Sequence, residues 1–374
     1  MKKKYVVLSI ITLVLLITFL TSFNYFKTSN NYVEDSVNNQ TKITKGISMN
    51  LEQTAGAGDY KTVTQSNWPT KGYKFNSELS RCENGSEISW DDTKKAVIVS
   101  GNLADKCYVY FDIYQPTLAE YIKSQYTGTQ GDNALYYHNS TLTNGAGDNS
   151  YRYAGASDSV NNYICLGSDA TTCPDANLFR IIGVFGDKTK VIRAKSVGDK
   201  AWHSSTSADN TWSSSSINTY LNGTYLTSLG TLADKIASTT WKVGGGSSTY
   251  LYDVPTTAYQ YEVGSSASTT TYEAKIGLMY ASDYGFAASS SAWTTQLSSY
   301  SSNTSKNWLY LGSYEWTISR NSDYAGYAFT VNSAGRVSYT TVSRSFAVRP
   351  SFNLLSSVKY VSGSGSMSDP VRVN

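Results

Sequence analysis

Between residues 314 and 354 the chain reads "YEWTISR", "YAFTVNS", "GRVSYTTV" and "SFAVRPSFNL" in close succession. Each run is short, rich in aromatic and β-branched residues, and bounded by Asn, Ser or Gly, the signature of strands joined by tight turns. Such a series commits this part of the chain to antiparallel hairpins. In the last run Phe346, Val348, Phe352 and Leu354 share one face at period two, while Ala347, Arg349, Ser351 and Asn353 share the other. Pro350 removes a ladder donor directly after Arg349, which fits an edge or terminal strand. A partly buried arginine has to be paired, and Glu315 and Asp323 are its candidate partners. Arg349 is therefore read as a structural pin, and Trp316 and Glu315, inside a strand pattern, as structural too.

The rest of the chain divides by texture. Residues 24–50 are polar, Asn-rich and aperiodic, as in a spacer. Residues 51–114 read as a small all-β module from "GYKFN", "SEISWD", "KKAVIVSG" and "KCYVYFD", with Cys107, Val109 and Phe111 on one face and Trp90 in the core. "QPTLAEYIKSQY" predicts a short amphipathic helix carrying Leu118, Tyr121, Ile122 and Tyr126 and ending before Gly128. It opens a connecting region, 115–176, whose remainder is rich in Gly, Asn, Asp and Ser. From Asn177 two β-runs, "LFRIIGVFG" and "KVIRAKS", predict a hairpin. "WSSSSINTYLNG" predicts a capped helix closed at Asn222-Gly223, and residues 357–374 read as a tail.

The chain starts "MKKKYVVLSIITLVLLITFLTSF", and residues 5–23 carry no charge. A helix of that length, at about 1.5 Å per residue, matches the hydrocarbon thickness of a bilayer. Lys2, Lys3 and Lys4 would hold the start inside, leaving the rest of a single-pass protein outside the cell. The alternative is a cleaved signal peptide and a secreted product, although no small-residue cleavage pattern follows the apolar run. Of four cysteines, Cys82 and Cys107 form one local pair and Cys165 and Cys173 another. In an exported chain this reads as two disulfides; a metal site is the rival, without a CxxC or a neighbouring histidine to support it. Hydrophobic residues at 40% and 31 tyrosines supply enough apolar surface to offset the entropy of folding. The net charge of +3 gathers into no basic stripe beyond the N-terminus, which argues against nucleic acid as a partner.

Catalytic chemistry finds few carriers. His138 and His203 are the two histidines, both read as ordinary loop residues, and neither HExxH nor GxSxG occurs. Paired carboxylates for glycoside cleavage could come from Glu262, Glu273, Asp283 and Glu315, yet no local pattern nominates two of them. No cofactor, no metal and no catalytic residue is assigned.

The ordered series "LFRIIGVF", "VIRAKS", "TWSSSSINTYLNGTYLTSL", "KIGLMYASDYGFA", "EWTISR", "AFTVNSAGRV" and "FAVRPSFNL" resembles a family of uncharacterised surface domains of gut Firmicutes. That family is in turn similar to the C-type-lectin-like fold of formylglycine-generating enzymes and of the variable proteins of diversity-generating retroelements. The resemblance covers residues 177–356. It implies an α+β chain in which a lectin-like domain with antiparallel hairpins and short helices follows the β module, with residues 314–354 as core hairpins and the ligand face on the loops between them. It also implies that Arg349-Pro350 lies inside the last core strand. The copper-binding cysteine pair of formylglycine-generating enzymes is not carried over, because no cysteine follows Cys173. The Glu-Pro-Asn or Gln-Pro-Asp loop and the Trp-Asn-Asp run of calcium-dependent lectins are missing as well, so neither activity is implied.

The turns of the C-terminal series are stocked with Tyr, Trp, Asn and Arg, a palette that offers large contact area and adaptable hydrogen bonds. Trp308, Tyr310, Asn321, Asp323, Tyr324, Tyr327, Tyr339 and Arg344 are the candidate ligand residues. The expectation is a membrane-anchored surface protein that recognises a glycan or a protein outside the cell. A structural envelope protein without a specific ligand and a cell-wall or glycan hydrolase are the alternatives.

Overall fold

Alternation at period two puts Val109 and Phe111 into one small core, where Met49 and Leu51 from a neighbouring strand meet them. The structure, a computed structural model, describes residues 46–63, 69, 72–102, 105–204 and 209–374. The apolar run 5–23 and most of the polar stretch after it lie outside the described residues. Among the described residues no helix is long and apolar enough to cross a membrane. Two compact units divide the chain, Met1–Gln115 and Pro116–Asn374.

The first unit is built from β1 (Gly46–Glu52), β2 (Tyr60–Val63), β3 (Tyr73–Cys82), β4 (Glu87–Asp91), β5 (Ala96–Ser100) and β6 (Lys106–Ile113). Four of these form a sheet in the order β2-β1-β6-β3, and β4 and β5 make a separate hairpin. β1 runs parallel to β6. It begins at Gly46, inside the stretch read from sequence as a spacer, because Met49 and Leu51 alternate inward and are needed to fill the core. Trp90 sets its half-buried ring edge-on to Phe111 at 4.9 Å. Cys82 faces Cys107 across the β3/β6 ladder and the two are joined as a disulfide.

In the second unit α1 (Leu118–Ser124) opens on a capping box: the Thr117 hydroxyl accepts from the Glu120 N–H, and the Glu120 carboxylate accepts from the Thr117 N–H. The helix buries Leu118, Ala119 and Ile122. The strands that follow are β7 (Leu135–His138), β8 (Ser150–Tyr153), β9 (Tyr163–Cys165), β10 (Leu178–Phe185), β11 (Lys188–Arg193) and β12 (Asp199–Ala201). After them come β13 (Thr239–Lys242), β14 (Thr271–Ala274), β15 (Ile276–Gly277), β16 (Glu315–Arg320), β17 (Tyr327–Val331) and β18 (Val337–Thr341). The last four are β19 (Ser345–Ala347), β20 (Ser351–Leu354), β21 (Tyr360–Ser362) and β22 (Val371–Val373).

β10 and β11 form the expected hairpin, at the centre of a sheet ordered β15-β20-β11-β10-β9-β22-β21, with β7 and β8 added beside β10. The register of β10 slips between Ile181 and Gly183. Gly183 is required there, since a Cβ would collide with the Tyr151 carbonyl oxygen of β8. Residues 128–176, read as a connector, thus supply three strands, and Cys165 pairs with Cys173 just past β9. The tail is equally structural: β22 lies parallel to β9, and Tyr360 of β21 stacks on Tyr121 of α1 with ring centroids 3.6 Å apart. A second sheet has the order β12-β19-β16-β17-β18, and β13 pairs with β14. The unit is therefore mixed α and β, dominated by strands, with short helices between them.

Two local expectations change. The helix α2 (Ser216–Tyr220), capped by Ser215, does not close at Asn222-Gly223 but continues through a π turn at Leu221–Tyr225. Asn222 is held in that turn by both amide atoms, which donate to the Ile276 carbonyl and accept the Ile276 N–H of β15. The run "SFAVRPSFNL" is two strands, not one. β19 belongs to the five-stranded sheet and β20 pairs with β11 and β15 in the larger one. The chain changes sheets at Val348, Arg349 and Pro350, where the proline has no N–H to continue a ladder.

Candidate functional site

Arg349 sits at that change of sheets and is 3% exposed. Its Nε donates to Glu315 Oε1 at 2.6 Å and its Nη2 to Glu315 Oε2 at 2.8 Å, while Nη2 also reaches the Leu309 carbonyl at 2.6 Å. Glu315 starts β16, so the forked pair joins the central strand of the second sheet to the corner leading into the first. Burial holds the Glu315 carboxyl above the usual carboxylate range, and the Arg349 guanidinium offsets this only in part. Of the two acids considered from sequence, Glu315 is the partner; Asp323 lies exposed in a turn. Trp316 is fully buried, its Nε1 donating to the Lys200 carbonyl and its ring meeting Trp202.

The tyrosines nominated from the turns do converge. β17 and β18 place Phe329 directly opposite Tyr339 and Tyr327 opposite Thr341. Tyr339 is the hub: Tyr324, Tyr327, Phe329 and Tyr252 all lie with ring centroids 5.6 to 6.0 Å from it. Phe329 is the buried floor, Tyr252, Tyr327 and Tyr339 are half-buried, and Tyr324 is 53% exposed at the rim. Burial, and then Tyr339 beside it, push the Tyr252 hydroxyl up to about 12.

The turn that carries Tyr324 is fixed from below. The Asn321 carboxamide accepts from the Asp323 N–H, and the side-chain amide of Asn210 donates to the carbonyls of Asn321, Tyr324 and Tyr327 at 2.7, 3.1 and 2.7 Å. Asn210 is buried and far away in sequence, and nothing in "ADNTW" marks it for that role. Tyr252, in "LYDVP", is likewise brought in only by the fold. Asp323 and Arg344 are exposed on the same end of the β17–β18 hairpin, where the Val342 N–H bonds the Gly326 carbonyl.

Three nominated residues do not join this surface. Trp308 is 2% exposed, its Nε1 donating to the Tyr153 carbonyl and its ring lying under the Arg180 guanidinium at 4.7 Å. Asn321 is 1% exposed and works inside the turn. Tyr310 donates its hydroxyl to the Ser333 carbonyl, in the turn at the opposite end of the β17–β18 hairpin from Tyr324.

His138, read as a loop residue, ends β7 and is fully buried, its Nδ1 accepting from the Ala146 N–H at 3.0 Å. His203 is half-buried beside β12, its N–H bonded to the Val342 carbonyl. Glu262, Asp283 and Glu315 are each buried and hydrogen-bonded, whereas Glu273 lies exposed on β14, accepting from the Ser238 hydroxyl. Among the described residues no group of three or more His, Cys, Asp or Glu side chains gathers in a geometry that could hold a metal ion.

Residues 186–356 match the model of a family described as a domain of unknown function, DUF6273. The match covers a little less than half of the chain and includes every residue of the tyrosine surface. No curated protein and no solved structure was found to match this chain.

Proposed function

We propose that this protein is an extracellular recognition protein whose second unit binds a glycan on the surface formed by Tyr324, Tyr327, Tyr339 and Tyr252. The observation that carries the reading is Tyr324: a large ring held half in solvent by a turn whose carbonyls at Asn321, Tyr324 and Tyr327 all gather on the Asn210 side-chain nitrogen. A prearranged aromatic face loses little entropy on binding, and its hydroxyls, with Asp323 and Arg344 nearby, suit a ligand that is apolar on one face and polar at its edges. Both disulfides fit an oxidising compartment. The apolar run 5–23 is the proposed anchor. The lectin-like arrangement is proposed for the second unit, supported by the strands β16 to β20, which fall within residues 314–354 as that arrangement requires. A protein ligand would use the same aromatic face and is the other outcome to be watched for.

The test is a glycan and host-protein array probed with the chain from Gly46 onward, alongside Tyr324→Ala and Tyr339→Ala checked for native circular dichroism. A specific glycan hit weakened about tenfold or more by either change is expected. Binding that neither change alters would move recognition elsewhere. Silence across a broad array would favour a structural envelope role.

A further inference from the structure

Beside β8 and β11 the second unit gathers five ionisable groups that the tyrosine surface does not use, four of them buried and the fifth, Asp148, half-buried. Lys190 of β11 and Asp283 of the helix α3 (Ala281–Phe286) stand 2.5 Å apart, Nζ to Oδ2, with side chains only 6% and 3% exposed. Arg152 of β8 places Nη1 at 3.5 Å from Asp283 Oδ1, and the Tyr280 N–H donates to Asp283 Oδ2 at 2.9 Å. The Lys190 ammonium faces the rings of Tyr280, Trp241 and Phe185 at 4.6, 5.5 and 5.8 Å. The remaining charges are already served. Arg152 keeps Asp148 at 2.6 Å, and the Glu262 carboxylate accepts from the Ala281 and Ser282 N–H groups and the Ser319 hydroxyl.

Two opposite charges taken out of water cost several kcal/mol each, and their attraction recovers this only in part. A lysine and a carboxylate differ from an arginine pair in having another way to shed that cost, because an amine is a nucleophile and a guanidinium is not. Among the ion pairs of the described residues, Lys190–Asp283 is the one in which an amine and a carboxylate are both buried. The others that involve lysine are exposed, as at Lys195–Asp175.

We propose that Lys190 and Asp283 condense after folding into an intramolecular amide bond that staples β11 to α3. Within the pair one proton passes from the ammonium to the carboxylate, leaving an amine and a carboxylic acid. The amine nitrogen attacks Cγ of Asp283 and the C–N bond forms. The C–OH bond then breaks, and the hydroxyl leaves with the second amine proton as water. Ammonium plus carboxylate become amide plus water, and no oxidant or other reactant is consumed. Arg152 and the Tyr280 N–H face the two carboxyl oxygens, where negative charge gathers as nitrogen adds. Burial lowers the affinity of Lys190 for its proton, against the pull of Asp283, which favours the amine form. The product removes two buried charges and leaves Arg152 matched with Asp148. Ligand recognition plays no part in this inference, which stands or falls separately.

The full-length protein, purified under native conditions, is denatured, reduced and digested with trypsin for mass spectrometry. The expected result is that trypsin does not cut after Lys190, and that the peptide containing it is recovered joined to the peptide containing Asp283, lighter than their sum by one water. Lys190→Arg keeps the charge pair but offers no amine, and should release the two peptides separately. Free Lys190 and Asp283 peptides from the folded wild-type protein would overturn the proposal and leave an ordinary buried ion pair. That wild-type measurement decides the matter even if the variant fails to fold.

Discussion

His138 shows how much one residue's meaning depends on where the chain carries it. In "LYYHNS" it stands among polar residues and reads as a loop position; in the structure it is buried between Phe286 and Trp293, with ring centroids 4.9 and 5.1 Å away. Burial, and then the charge of Arg152, hold its pKa well below the usual histidine value, with Asp148 pulling weakly the other way. The folded protein therefore keeps His138 neutral where an unfolded chain would take up a proton. Stability should be lost as pH falls through about 6.5, the unfolded value, by up to about 1.4 kcal/mol per pH unit until the folded pKa is reached. Asp148 does not titrate in that window, because the charge of Arg152 and the Ser150 donors overcome the effect of burial and hold it at about 2. We expect the melting temperature to drop between about pH 7 and pH 5, and the drop to be shallower in His138→Asn, which keeps an acceptor for the Ala146 N–H. Equal slopes in the two proteins would remove His138 as the cause.

At the scale of elements, β10, β16, β17 and β18 were legible, whereas β1, inside the polar stretch, and β7, β8 and β9 were not. β10, β16, β17 and β18 each run long enough for alternation to show. β7, β8 and β9 are too short to carry a period and lie among Gly, Asn and Asp that read as loop; their neighbours in the sheet make them strands. The corner at Val348, Arg349 and Pro350 is the clearest case. Both faces of "SFAVRPSFNL" are largely buried, and the period-two pattern of its residue types could not reveal that the run changes sheets midway. Arg349 was legible as a pin, and the corner supplies the reason. Arg349→Met should cost about 3–5 kcal/mol in urea unfolding, because it strands the buried Glu315 carboxylate. Arg349→Lys should recover only part of this, since an ammonium cannot fork across two oxygens. Additive losses in a double-mutant cycle with Glu315→Gln would show that the two groups do not act as a pair.

For the whole molecule, the boundaries of the second unit decide what can fold. The segment matching DUF6273 begins at residue 186, so it leaves out β10, which pairs with β8, β9 and β11, and it ends before β22, which pairs with β9. The two ends of the unit also meet, with the Leu118 N–H bonded to the Val358 carbonyl and the Tyr360 N–H to the Pro116 carbonyl. A fragment of residues 186–356 should therefore show no cooperative melt by circular dichroism, whereas residues 116–374 should melt in one transition. A fragment that melts as sharply as the longer piece would mean that the outer strands are dispensable. Sequence alone determined the strand-rich α+β character, the pairing of the four cysteines and the hairpin at β10–β11, because periodicity and local spacing are written over a few neighbouring residues. Only the tertiary structure decided that Trp308 is core, that Asn210 and Tyr252 serve the tyrosine surface, and that Lys190 meets Asp283. Each of those facts joins residues distant in the chain, and such contacts are set by how sheets and loops pack, which leaves no local trace in the order of residues.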